Sequence, residues 1–177
     1  SAAGAAAVLG RAYAQAGDLD QAATLLQHAL DRFDTIGDAQ GLALCRRDLG
    51  TVAVLRGDAE RGRSLLEAAL ATWRQLGRVV MAGLCHQRLA MRALDIGDSV
   101  AAEQQLHEAI DAHRGVSARG MAMDMAWLAI VDVARGRFGL AEHRLSAAVD
   151  ELRAAGVIGD ADAFEVMLVA LILRASR

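Results

Sequence analysis

The chain has 177 residues, of which 54% are hydrophobic but only 3% aromatic, and its 19 basic and 22 acidic residues leave a net charge of −3. Lys and Pro are both absent, which excludes a phosphate-binding loop ending in Gly-Lys-Ser/Thr and favours helices that nothing interrupts. The Arg residues are interspersed with Asp and Glu, so no basic stripe follows a nucleic-acid backbone, and direct DNA or RNA binding is not expected.

The first predicted helix, 3–16, stops at Gly17, and a second, 19–36, starts after Asp18. Glycine supplies the left-handed conformation that ends a helix, and the Asp carboxylate accepts from the exposed N–H groups that open the next one. The same grammar predicts helices 39–56 with 59–76, 79–96 with 99–114, and 118–135 with 138–155. Gly17, Gly57, Gly97 and Gly136 stand 40, 40 and 39 residues apart, a fixed period that reads as a stacked array. Arg137 replaces the capping Asp in the fourth unit, so that cap is expected to be weaker. Second helices should stop at Gly37, Gly77, Gly115 and Gly156.

Three columns of small residues accompany the period: Gly10, Gly50, Ala90 and Ala129; Ala22, Gly62, Ala102 and Ala141; Ala29, Ala69, Ala109 and Ala148. Between the last two runs a Leu column, Leu26, Leu66, Leu106 and Leu145. Two antiparallel helices approach closely only where side chains are small, and large residues fill the space beside the crossing. The expected architecture is therefore all-α, four helical hairpins spanning about 3–38, 39–78, 79–117 and 118–157. A final unpaired helix, 161–175, has no second helix after it and is apolar nearly all round. Val166, Leu168, Val169 and Ile172 on it are candidates for self-association, giving a homodimer. The longest apolar run, 166–173, has eight residues, where a membrane-spanning helix needs roughly 20.

This large-small-Gly-small-large-small pattern resembles the tetratricopeptide repeat, with Leu9, Gly10, Tyr13, Gly17, Ala22 and Ala29 at its signature positions. The column of Tyr13 continues as Ala53, Ala93 and Asp132, and the usual Trp and Pro are missing. The 40-residue period resembles the long variant of kinesin light chains and of bacterial signalling and ATP-binding transcriptional regulators. The resemblance implies a right-handed α-α superhelix, one repeat domain over 1–177 that is a fragment of a larger protein. It further implies a non-enzymatic scaffold for a protein or peptide, the effector-binding or interaction part of a bacterial regulator. A receptor for a small molecule or short signalling peptide in the same groove, and a self-association module, are the alternatives. Carried onto this chain, the groove-facing places are Arg11, Gln15, Arg47, Asp48, Thr51, Gln87, Arg88, Met91, Asp95, Trp127 and Ile130, a surface suited to an acidic or amphipathic segment. Trp127 is expected to be partly core. Members that clamp a terminal carboxylate use Lys and Asn at such places, and this chain has neither residue.

Chemistry finds no foothold. His28, His86, His107, His113 and His143 form no metal-ligand spacing, and neither a CxxC nor a Gly-x-Ser-x-Gly elbow occurs. No catalytic residue, cofactor or metal is expected. Carboxylates such as Asp58 and Glu103 read as a cap and a solvated face. Cys45 and Cys85, 40 residues apart in one column, are too far apart to bridge if their helices stack at the usual spacing of about 8 to 10 Å. Two reduced thiols, no leader pattern and no membrane span point to the cytoplasm.

Overall fold

The computed structural model describes residues 1–157 and residue 159. Helix 161–175, with Val166, Leu168, Val169 and Ile172, lies outside the described residues. Eight α-helices follow in order: α1 Ala2–Ala16, α2 Leu19–Ile36, α3 Ala39–Leu55, α4 Ala59–Gln75, α5 Val79–Asp95, α6 Ser99–His113, α7 Ala118–Ala134 and α8 Phe138–Ala154. Each begins and ends within a residue of the bounds that the glycines and caps predict, and the described residues contain no strand.

Among the described residues, all eight with positive φ are the predicted stop glycines, with φ between 64 and 86°. Asp18, Asp38, Asp58 and Asp98 each accept a hydrogen bond from the backbone N–H three residues on, at 2.9 to 3.1 Å. Ser117 opens α7 in the same way. Arg137 makes no side-chain cap, as its chemistry requires, since a guanidinium has no acceptor.

The chain falls into two compact units, 1–88 and 89–177, divided within α5. In the first, α1 packs on α2, α2 on α3 and α3 on α4; in the second, α6 packs on α7 and α7 on α8. All twelve members of the three small columns are buried, and the four Leu of the intervening column are 0% exposed. Each such Leu contributes roughly 2 kcal/mol by leaving water. The crossings tolerate nothing larger. A Cβ on Gly10 would lie 2.8 Å from Leu26 Cγ, and one on Gly62 would lie 2.5 Å from Val54 Cγ2 and 2.9 Å from the Gly50 carbonyl oxygen.

A pair of columns and a further single column change character in the second unit. Phe33 and Trp73 fill the last turn of α2 and α4, and the equivalent residue of α6 is His113; Cys45 and Cys85 continue as Asp124. His113 Nδ1 and Asp124 Oδ2 lie 2.6 Å apart, both side chains 0% exposed. The second change is Asp132, in the column of Tyr13 and Ala53. It is wholly buried, 2.6 Å from Arg137 Nη2 and 2.7 Å from Arg144 Nε. Neither approach has hydrogen-bond alignment, so charge holds this carboxylate. Arg137, misplaced as a cap, is thus the counter-ion of a misplaced acid.

Glu103, expected on a solvated face, instead pairs with Arg135 and, at 2.9 Å, with Arg137. Burial pushes its carboxyl up, but the hydrogen bond and charge of Arg137, then Arg135, outweigh that and hold it below its ordinary value.

Candidate partner-binding groove

In unit 1, α1, α3 and the middle of α5 bring together Arg11, Gln15, Arg47, Asp48, Thr51 and Arg88, six residues that the sequence marks as groove-facing. They line a cleft of about 200 Å³ with Ala14 and Leu55. Their exposures differ: Gln15 is exposed, Arg11, Arg47, Thr51 and Arg88 are half-buried, and Asp48 is buried.

Asp48 organises the cleft. Its Oδ2 accepts from Arg11 Nε at 3.0 Å, and its Oδ1 accepts from Arg47 Nε and Nη2 at 2.9 and 2.7 Å. Charged hydrogen bonds of this kind are short and directional, and they fix the planes of both guanidinium groups. Thr51 caps nothing but returns its hydroxyl to the Arg47 carbonyl at 3.0 Å, leaving that helix turn intact. Arg88 joins the same field. Burial first, then the neighbouring Arg47, pulls its guanidinium down from the ordinary value, while Asp48 opposes them. An Arg still keeps its proton at neutral pH. Three guanidinium charges against one carboxylate leave these residues at +2.

The remaining groove residues do not join this cleft. Gln87 is buried. Met91, Asp95, Trp127 and Ile130 belong to unit 2, where Trp127 packs against the core cluster that contains Leu106 and Leu128, and Asp95 is exposed. Periodicity marks which positions share a face, but it does not reveal that Asp48 is the hub. An acid flanked by Arg at i−1, with another Arg in the previous unit, was the available signal.

Beneath the cleft lie Cys45 and Cys85, free and buried. Burial, reinforced by the Asp48 charge, pushes the Cys45 thiol from its ordinary 9.0 up to about 11, and burial pushes that of Cys85 up to about 12. The unfolded chain therefore loses these protons first. The stabilisation is complete below pH 9.0 and is lost as pH rises through about 11 to 12. Thermal melts should accordingly show a melting temperature that falls between those limits, and a disulfide reagent should label neither thiol in the folded chain at pH 7.5 but both after denaturation. Rapid labelling of the native chain would contradict the burial.

Among the described residues no group of three His, Cys, Asp or Glu could hold a metal ion, and no helix is long and apolar enough to cross a membrane.

Residues 2–75 match the tetratricopeptide repeat family. Solved structures share the fold at low identity. BtubC (BKLC) from P. vanneervenii is 20% identical with a TM-score of 0.74, over 87% of this chain and 64% of that one. A kinesin light chain candidate from Podosopora anserina, built of nearly identical TPR-like repeats, is 16% identical with a TM-score of 0.68, over 98% of this chain and 96% of that one. A Rap protein complexed with Competence and Sporulation Factor is 14% identical with a TM-score of 0.75, over 96% of this chain and 52% of that one. The chain thus spans less than two thirds of BtubC and about half of the Rap protein. No curated protein matches it in sequence. The fold is an all-α array of tetratricopeptide-like hairpins, an architecture that serves as a protein-interaction scaffold.

Proposed function

We propose that this chain is a non-catalytic tetratricopeptide scaffold whose groove holds an acidic or amphipathic peptide segment of a partner. One observation carries the reading: two guanidinium groups, of Arg11 and Arg47, converge on the buried Asp48 carboxylate in a cleft of the first unit that Arg88 also lines. Asp48 fixes the orientation of Arg11 and Arg47 before any partner arrives, so little side-chain entropy is lost on binding. The excess positive charge then attracts carboxylates and repels basic segments. On this reading Gln15 and Thr51 supply adaptable polar contacts beside the charged pair.

A role as one repeat domain of a longer bacterial regulatory protein, working in the cytoplasm, is the finer form of this proposal. Likeness to the Rap protein, solved with a bound factor, and the 40-residue period of this chain support it.

Titrating the purified chain with fluorescent acidic and basic peptides of equal length tests the reading by anisotropy. Acidic peptides should bind, with an affinity that weakens as salt rises. An Arg11→Gln, Arg88→Gln double variant should bind them about tenfold less tightly, that is by about 1.4 kcal/mol, while its far-UV spectrum stays that of the wild type. Equal binding by the variant, or preference for basic peptides, would count against the groove.

A further inference from the structure

Among the described residues, five buried side-chain atoms lack a hydrogen-bond partner; four belong to Asp132 and the two arginines beside it, and the fifth is the Trp73 indole nitrogen. A buried donor without an acceptor bears the full cost of losing its water, and the N–H of a buried Trp ordinarily finds a partner. Trp73 is 3% exposed. It lines a cleft of about 500 Å³ in unit 1, where the ends of α2 and α4 meet the starts of α3 and α5. The walls are apolar, from Phe33, Gly41, Leu44, Trp73 and Met81. At the rim stand Asp38 and Arg78, one charge of each sign, and the amide of Gln40. Asp38 is engaged as the cap of α3, accepting from the Gly41 N–H at 3.0 Å.

We propose that this cleft binds an uncharged aromatic compound bearing a carbonyl group, whose oxygen accepts from Trp73 Nε1–H. The volume suits a small molecule, and apolar walls with a few polar groups are the usual form of such sites. Phe33 and Trp73 offer rings for an aromatic body to pack on. Charge selects a neutral ligand, since a carboxylate would face Asp38 and an ammonium would face Arg78 and the indole N–H, while entry of either among the apolar walls costs its hydration. The indole N–H is covered in this structure, so the ligand must displace a side chain to reach it. Met81, long and unbranched, is the lining residue best able to move. The cleft shares no residue with the Asp48 groove, and neither proposal depends on the other.

NMR of the isotope-labelled chain, titrated with acetophenone, tests the assignment, with benzoate and benzylammonium as charged matches. Acetophenone should shift the amides at the starts of α3 and α5 saturably and move the Trp73 indole proton downfield, as a new hydrogen bond does, while the Trp127 indole proton stays in place. Benzoate and benzylammonium should bind about tenfold more weakly. Trp73→Phe, a ring that Phe33 already places in this column, should fold as the wild type does, identify the indole resonance by its loss and bind acetophenone about fivefold more weakly. A Trp73 indole proton that does not move downfield at saturation or moves no further than that of Trp127, charged matches that bind as tightly as acetophenone, wild-type affinity in Trp73→Phe, or no saturable shift up to about 10 mM would overturn the proposal.

Discussion

Replacing Asp124 by alanine is expected to destabilise the second unit by about 3 to 5 kcal/mol, because it strips the 2.6 Å partner from a histidine that is 0% exposed. The cost of such a pair lies in breaking it, since each group has surrendered its water to make it. The repeat supplies the control. The first unit fills the same two columns with Phe33 and Cys45, which share one apolar cluster, and a Phe fits beside Gly120 as it does beside Gly41, where an added Cβ would touch either ring. His113→Phe with Asp124→Cys together should therefore recover most of the loss, to within about 1 kcal/mol of the wild type. Denaturant unfolding of the single and double variants measures this directly. A double variant as unstable as Asp124→Ala would show that these columns are not interchangeable between units.

Gly62→Leu should cost about 3 kcal/mol, at the upper end of what overpacking usually does. The obstacle to its Cβ is partly backbone, the Gly50 carbonyl oxygen at 2.9 Å, which cannot rotate away as a side-chain tip can. Separating α3 from α4 would loosen Leu66, which is 0% exposed, and through it the packing of the first unit. Thermal melts followed by circular dichroism should show the drop, and Gly57→Ala, a change at φ 85° in open space, should cost only about 1 kcal/mol, through backbone strain alone. Comparable melting temperatures for the two variants would mean that the crossing is not the tight contact it is taken for.

Much of this molecule was legible in the chain because its determinants are local and repeated. A glycine stop followed by an aspartate cap acts within five residues, so Gly17-Asp18 or Gly57-Asp58 marks a helix boundary whatever surrounds it. Small columns are nearly as legible, since a residue that must admit another helix backbone has only Gly and Ala to choose from. Charge was harder to read. Glu103 has the look of a solvated helix residue, and Arg137 that of a failed cap; each acquires its role only when α6, α7 and α8 bring them together with Asp132. Likewise Arg11 and Asp48 lie 37 positions apart, and the Arg47 beside Asp48 is only a faint local sign of their hydrogen bond.

The sequence by itself determined the helices, their ends, the period and the close crossings, because backbone conformation and side-chain size are properties each residue brings with it. Only the tertiary structure decided which charges are paired, where a carboxylate is buried and where a cleft stays open. Those depend on distances between side chains from different helices, and electrostatic strength is set by burial and separation rather than by residue type.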